Sequence, residues 1–247
     1  MQTIIIGKLS SLSFRSLRKI LRGRQKNTQE NSLKIEPTLG GIFKAISPKQ
    51  SVVPWESPDD LVDEAWQKAL APWVEFYKKY FNLDLKMTKI KIPDHTEGFD
   101  RLIIIAKGIS INQVYETMQA SFPSWKWCVS ELEEEIQVSQ RGEVKKTYAI
   151  WARDIEGIDK DLKHISAEKV ERPMDTENLL ERLIHGFKYW AETGTHLDSG
   201  TYTLCASSRY ICGDVPRVRL IGVSDVGVGK CSPTHYVGGI GVRRVVR

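Results

Sequence analysis

The last 48 residues, 200–247, have no helical period, and this restricts the fold more than any other feature. They hold eight glycines and nine valines and never place apolar residues three and four apart over several turns. Such a stretch reads as short strands joined by turns. Upstream the pattern changes to strong helices and isolated strands, and a chain that finishes in a run of short strands is α+β. With 247 residues there is room for two unequal parts. The expected division is a helical N-terminal region and linker over 1–84 and an α+β domain over 85–247.

The first helix is predicted from Leu61, Val62, Ala65, Trp66, Ala69, Leu70, Trp73, Phe76, Tyr77 and Tyr80, capped by Ser57 or Asp59 and kinked or divided at Pro72. Residues 85–92 alternate like a strand, and 101–106 supply another. Ser110 caps a helix that Pro123 stops after Ser121. Strands are predicted at 125–129 and 146–154, with a solvated acidic patch at 131–135 between them. A last helix starts from Asp175 or Thr176, buries Leu179, Leu180, Leu183, Ile184, Phe187 and Trp190, and ends at Gly194. His185 lies beside that stripe as an interface residue.

Catalytic signatures are missing. Gly227, Gly229 and Lys230 lack the spacing of a phosphate loop, and Ser207 and Ser208 have no G-x-S-x-G context. The histidines at 95, 164, 185, 196 and 235 form no i, i+4 pair, and the tail has no acidic cluster to hold calcium. No catalytic residue, cofactor or metal is expected. Asp94, Glu97, Asp100 and Asp154 could form a carboxylate pair only through the fold. Cys128, Cys205, Cys212 and Cys231 lack metal-site spacing and read as free thiols of a reducing compartment, with a Cys205–Cys231 disulfide open if the protein is exported. No apolar run approaches the roughly 20 residues of a membrane span, and no basic region precedes the short apolar start. The expectation is cytoplasmic, with surface display by another route left open.

The formal charge of +5 resides wholly in the tail, which carries one Lys, six Arg and two Asp. Together with the basic amphipathic segment 10–26, this supports an alternative function as a nucleic-acid-binding accessory protein using Arg217, Arg219, Arg243 and Arg244.

The tail is also marked by what it omits. Of the first 199 residues, 58 are Lys, Glu, Gln, Met or Trp, a rate that would put about 14 in the last 48, yet only Lys230 is there. A strand region disfavours Lys, Glu and Gln, but not Trp and Met. These five types are the ones that NNY codons cannot encode. Around the gap, Leu204 to Arg209, Gly213 to Pro216, Val218, Val228, Pro233 and Arg243 to Val246 look like a constant framework. The pattern resembles the C-terminal variable region of proteins diversified by retroelements, in particular the group from candidate-phylum bacteria. The similarity extends upstream through Trp73 to Phe81, Ile92, Pro93, Glu97 to Leu102, Trp151 to Asp154, Leu179 to Leu183 and Thr193 to Asp198, about two thirds of the chain. Leu220 and Lys230 depart from it, standing where relatives often carry Trp.

The resemblance implies a C-type lectin fold, without need of sugar or calcium, whose ligand-facing side chains vary while the backbone is retained. It implies a non-catalytic receptor for an unknown macromolecule, expected to be a protein. The diversified candidates are Tyr210, Ile211, Cys212, Asp214, Arg217, Arg219, Ile221, Gly222, Val223, Gly227, Gly229, Cys231, Ser232, Thr234, His235 and Tyr236. Lys230 belongs to the framework, because NNY cannot make it. Tyr210, Arg217, Arg219, His235 and Tyr236 are the foremost contact candidates, since aromatic and Arg side chains carry most interface energy.

Overall fold

The computed structural model describes residues 64–86, 90–137 and 144–247. The segment 10–26 and the caps Ser57 and Asp59 lie outside them. The chain divides into two compact units, Met1–Lys68 and Ala69–Arg247. Among the described residues no helix is long and apolar enough to cross a membrane.

Helix α1 (Glu64–Phe81) contains Pro72 and continues past it. Its Trp73, Phe76, Tyr77 and Phe81 are buried, and Phe76 meets Phe187 edge-on at 5.3 Å. The Tyr77 hydroxyl donates to the Ile104 carbonyl at 2.7 Å and accepts from the Ala106 N–H. These four aromatics all belong to the second unit.

Next come β1 (Arg101–Ile105), α2 (Ile111–Ser121), β2 (Ser124–Lys126), the single turn α3 (Leu132–Glu135), β3 (Ile136–Gln137) and β4 (Tyr148–Ala152). Ser110 caps α2 by accepting from the Gln113 N–H, as its position predicted. No strand forms at 85–86 or 90–92. That stretch is held instead by a side chain, the Trp151 indole donating to the Pro93 carbonyl at 2.9 Å. The acidic patch at 131–135 proves to be a helical turn, because Leu132 is buried and the Glu133 carboxylate accepts from the Ile111 N–H.

Helix α4 (Leu179–Thr193) starts later than predicted. Asn178 caps it in a reciprocal box with Glu181, while Pro173–Asp175 forms a separate 3-10 turn and the Thr176 hydroxyl bonds back to Pro173. Gly194 closes it at φ 74°, a left-handed conformation that glycine adopts at no steric cost. The tail forms six strands: β5 (Tyr202–Leu204), β6 (Arg209–Tyr210), β7 (Val215–Ile221), β8 (Asp225–Cys231), β9 (Ile240–Gly241) and β10 (Val245–Val246). The three sheets run β1-β4-β10, β2-β8-β7-β5-β9 and β3-β6. Mixed helices and sheets make the unit α+β, as predicted.

A buried ionic cluster ties the tail to α4. Asp198 accepts from Arg182 at 2.6 Å, from Arg243 at 2.8 Å and from the Thr203 hydroxyl at 2.7 Å. Arg243 also donates to the carbonyls of Ile155 and Glu156. Next to it, His185 Nδ1 lies 2.7 Å from Glu177 Oε1, so the histidine has a partner, as its interface reading requires.

Candidate binding face

Strands β7 and β8 form a seven-rung antiparallel ladder from Val215↔Cys231 to Ile221↔Asp225. Side chains alternate between faces along each strand. Arg217, Arg219 and Ile221 therefore share a face with Gly227, Gly229 and Cys231, and Val218 and Val228, fully buried, point to the other. Six of the sixteen candidates fall on one side of one hairpin, with core valines interleaved.

Neighbouring strands widen this face. Tyr202 on β5 pairs with Arg219, and Trp125 on β2 pairs in parallel with Gly227. Trp127 continues β2, donating its N–H to the Val228 carbonyl at 2.9 Å, and its ring meets Trp125 edge-on at 5.9 Å. Both indoles are exposed, at 46% and 59%. The guanidinium carbons of Arg219 and Arg217 lie 5.2 and 5.6 Å from the Tyr202 ring centroid, and Arg219 donates to the Tyr202 hydroxyl at 2.9 Å. Among the described residues no carboxylate pairs with either arginine.

The two glycines are occupied space rather than gaps. A Cβ on Gly227 would stand 2.5 Å from Ile221 Cδ1, and one on Gly229 would stand 3.3 Å from Arg217 Nε. Side chains of β7 therefore lean across β8. At the other end of the face, Cys231 and Val215 are covered with Leu204, Ala167 and Val170 in a small apolar core.

The remaining candidates lie on connections. Gly222, at φ 63°, and Val223, 91% exposed, form the hairpin tip. Ile211 and Cys212 are exposed and Asp214 half-buried in the turn before β7, on the side reached by Lys230, whose Nζ lies 3.6 Å from both Cys212 Sγ and Asp214 Oδ2. In the loop after β8, Ser232, Thr234 and Tyr236 are exposed and His235 half-buried. The Ser232 and Thr234 hydroxyls bond at 2.9 Å, and the Tyr236 ring is 6.4 Å from that of His164.

Three expectations need correction. Tyr210 is a core residue at 2% exposure, lying under the Lys230 ammonium with its hydroxyl enclosed, so it cannot reach a partner. Cys231 is likewise buried, because its end of the face is covered. Arg243 is unavailable to nucleic acid, since its guanidinium is consumed by Asp198 and two carbonyls. All four cysteines are free. Of the acidic residues considered for a carboxylate pair, Asp100 is engaged by His95 at 3.0 Å and Asp154 by Arg101 at 3.7 Å.

Trp125 and Trp127 border this face and were not among the candidates read from the sequence. The signal available was two indoles at i and i+2 of a short strand, which must share a face. No protein-family model, curated protein or solved structure matches this chain.

Proposed function

We propose that the chain is a non-catalytic binding protein of the C-type lectin fold, whose tail is diversified by a retroelement and which holds a macromolecular ligand on the open face of β2, β8, β7 and β5. The observation that carries this reading is parity. Arg217, Arg219, Ile221, Gly227 and Gly229, candidates that the resemblance implies, share the open stretch of one face with Asp225, while Val218 and Val228 on the other face are buried; only at the covered end, with Val215 and Cys231, does this face join the core. Changing only the open stretch alters what the face can touch and leaves most of the core contacts alone.

The exposed candidates Val223, at the tip of the β7–β8 hairpin, and Tyr236, in the loop after β8, add apolar surface next to these strands. Tyr and Arg bring contact area and directional hydrogen bonds at modest entropic cost, which suits a surface that must accept new partners.

The test is genomic. A near-copy of the coding sequence for 200–247 is expected beside a reverse transcriptase gene, differing at adenines and chiefly in codons 217, 219, 221, 227 and 229. Absence of such a copy, or differences spread evenly over all four bases and over Val218 and Val228, would overturn the reading.

A further inference from the structure

We infer that Trp125 and Trp127 are a constant aromatic anchor built into the variable face, and that the partner is a protein segment presenting a carboxylate flanked by apolar side chains. This rests on the binding reading above and adds residues outside the tail to it.

Three observations converge on the pair. First, β2 is separated by about 100 residues from β8 in sequence, yet it pairs with the middle of that strand and sets Trp125 opposite Gly227. Second, the two indoles meet edge-on and are 46% and 59% exposed. An indole buries on the order of 150–250 Å² when covered, so leaving two adjacent ones open on a sheet face forgoes a large gain that a partner can recover. Third, Trp is the leading hot-spot residue at protein interfaces, and NNY codons cannot encode it. The varied positions of a tail diversified in that way cannot become Trp, and the constant ones of this tail hold none, whereas a strand lying outside the tail supplies two.

The chemistry of the partner follows from the neighbouring arginines. Arg217 and Arg219 are held over Tyr202 with no carboxylate among the described residues to neutralise them. A guanidinium has five N–H donors in a planar fork, and in Arg219 one hydrogen bond, to Tyr202, is made. A single Asp or Glu side chain set beside apolar groups would satisfy the arginines while its neighbours cover the indoles.

The same geometry disfavours single-stranded nucleic acid. Only two cations lie on the face, because Lys126 and Lys230 occupy the opposite register and are engaged by Ser130, and by Cys212 and Asp214, respectively. A base stacking on the Tyr202 ring would compete with the two guanidiniums already beside it.

The test selects a displayed library of random peptides on the full chain, with Trp125→Ala/Trp127→Ala as the comparator. The expected result is enrichment of Asp or Glu next to aromatic or aliphatic residues, with each selected peptide losing about tenfold or more in affinity on the double variant. Arg217→Ala/Arg219→Ala should weaken the same peptides and abolish the acidic preference. The Trp variant should melt within about 3 °C of the parent, since both indoles are exposed, and the Arg variant, whose half-buried side chains lose only their contacts with Tyr202, within about 4 °C; should the double Trp variant unfold, Trp127→Ala alone serves as comparator. Enrichment no greater than on the comparator, basic or neutral consensus peptides, or tighter and steeply salt-dependent binding of a 20-nucleotide oligo(dT) probe would each overturn the inference. Loss of peptide affinity without any genomic template would overturn the diversification reading and leave the anchor standing.

Discussion

Two arginine pairs meet very different fates in this chain. Arg182 and Arg243 clasp the carboxylate of Asp198, with all three side chains less than 5% exposed. Arg217 and Arg219 lie half-buried over the Tyr202 ring with no carboxylate partner among the described residues. In the first pair the cost of removing charge from water is offset only by close ion pairing and by bonds to Thr203, Ile155 and Glu156. That interaction energy is committed to the fold. In the second pair no carboxylate among the described residues takes up the charge, so its electrostatic energy stays available to a ligand. The tail's formal charge of +5 therefore overstates what the surface presents.

The largest effect expected from this contrast is on stability. Arg243→Met leaves Asp198 in a dry site with one of its two cations gone, which costs about 3–5 kcal/mol, against about 0.5 kcal/mol or less for Arg217→Ala or Arg219→Ala. Urea denaturation midpoints measure both. Equal losses in the two pairs would abolish the distinction between a structural and a contact pair.

Acid should reach the buried cluster in two stages. Burial alone would raise the Asp198 pKa, but the guanidiniums of Arg182 and Arg243 and the Thr203 hydroxyl hold it well below the usual carboxylate range. Burial first, and then the guanidiniums of Arg243, Arg101 and Arg182, hold the His185 pKa well below the ordinary histidine value. A depressed folded pKa means that the unfolded chain binds the proton first. The His185 contribution is thus present above about pH 6.5 and is lost as pH falls toward its folded pKa, whereas the Asp198 contribution starts to fall only below about pH 3.9. Stability measured against pH should decline in these two windows, and His185→Gln should shrink the first. A first-window decline in the His185 variant as large as the parent's would break the assignment.

Sequence and structure agree where a periodic pattern meets a continuous core. The stripe Leu179, Leu180, Leu183, Ile184 and Phe187 is buried as its spacing predicts, while Trp190 at its end is only half-buried, and the tail forms short strands joined by turns as its lack of helical period predicts. Legibility fails where burial depends on a distant segment. Tyr210 looks like any aromatic in a turn-rich stretch, yet β6 pairs with β3, setting Tyr210 opposite Ile136, and both are buried. The α4 cap was misplaced because three polar residues compete within a few positions, and only geometry shows that Asn178 faces the Glu181 N–H while Thr176 turns back to Pro173. Trp125 and Trp127 read as an ordinary short strand, since nothing local announces a parallel partner at Gly227.

The smallest effect is expected at a glycine. Gly241 and Gly227 both lie in strands of the tail sheet, and an added methyl group at either would meet an atom closer than 3 Å. At Gly241 that atom is the Leu162 carbonyl oxygen, part of a backbone held by the Lys163↔Gly241 bridge, so Gly241→Ala should cost about 1–3 kcal/mol by overpacking. At Gly227 it is Cδ1 of Ile221, the mobile end of a half-buried side chain that can turn toward solvent. Replacing glycine in extended backbone also removes freedom from the unfolded chain, a gain of about 0.4–1 kcal/mol that opposes the cost of moving Ile221. Gly227→Ala should therefore change the melting temperature by no more than about 2 °C. A loss at Gly227 as large as that at Gly241 would mean that the outward face is packed as tightly as the core, and that its side chains could not vary independently of the fold.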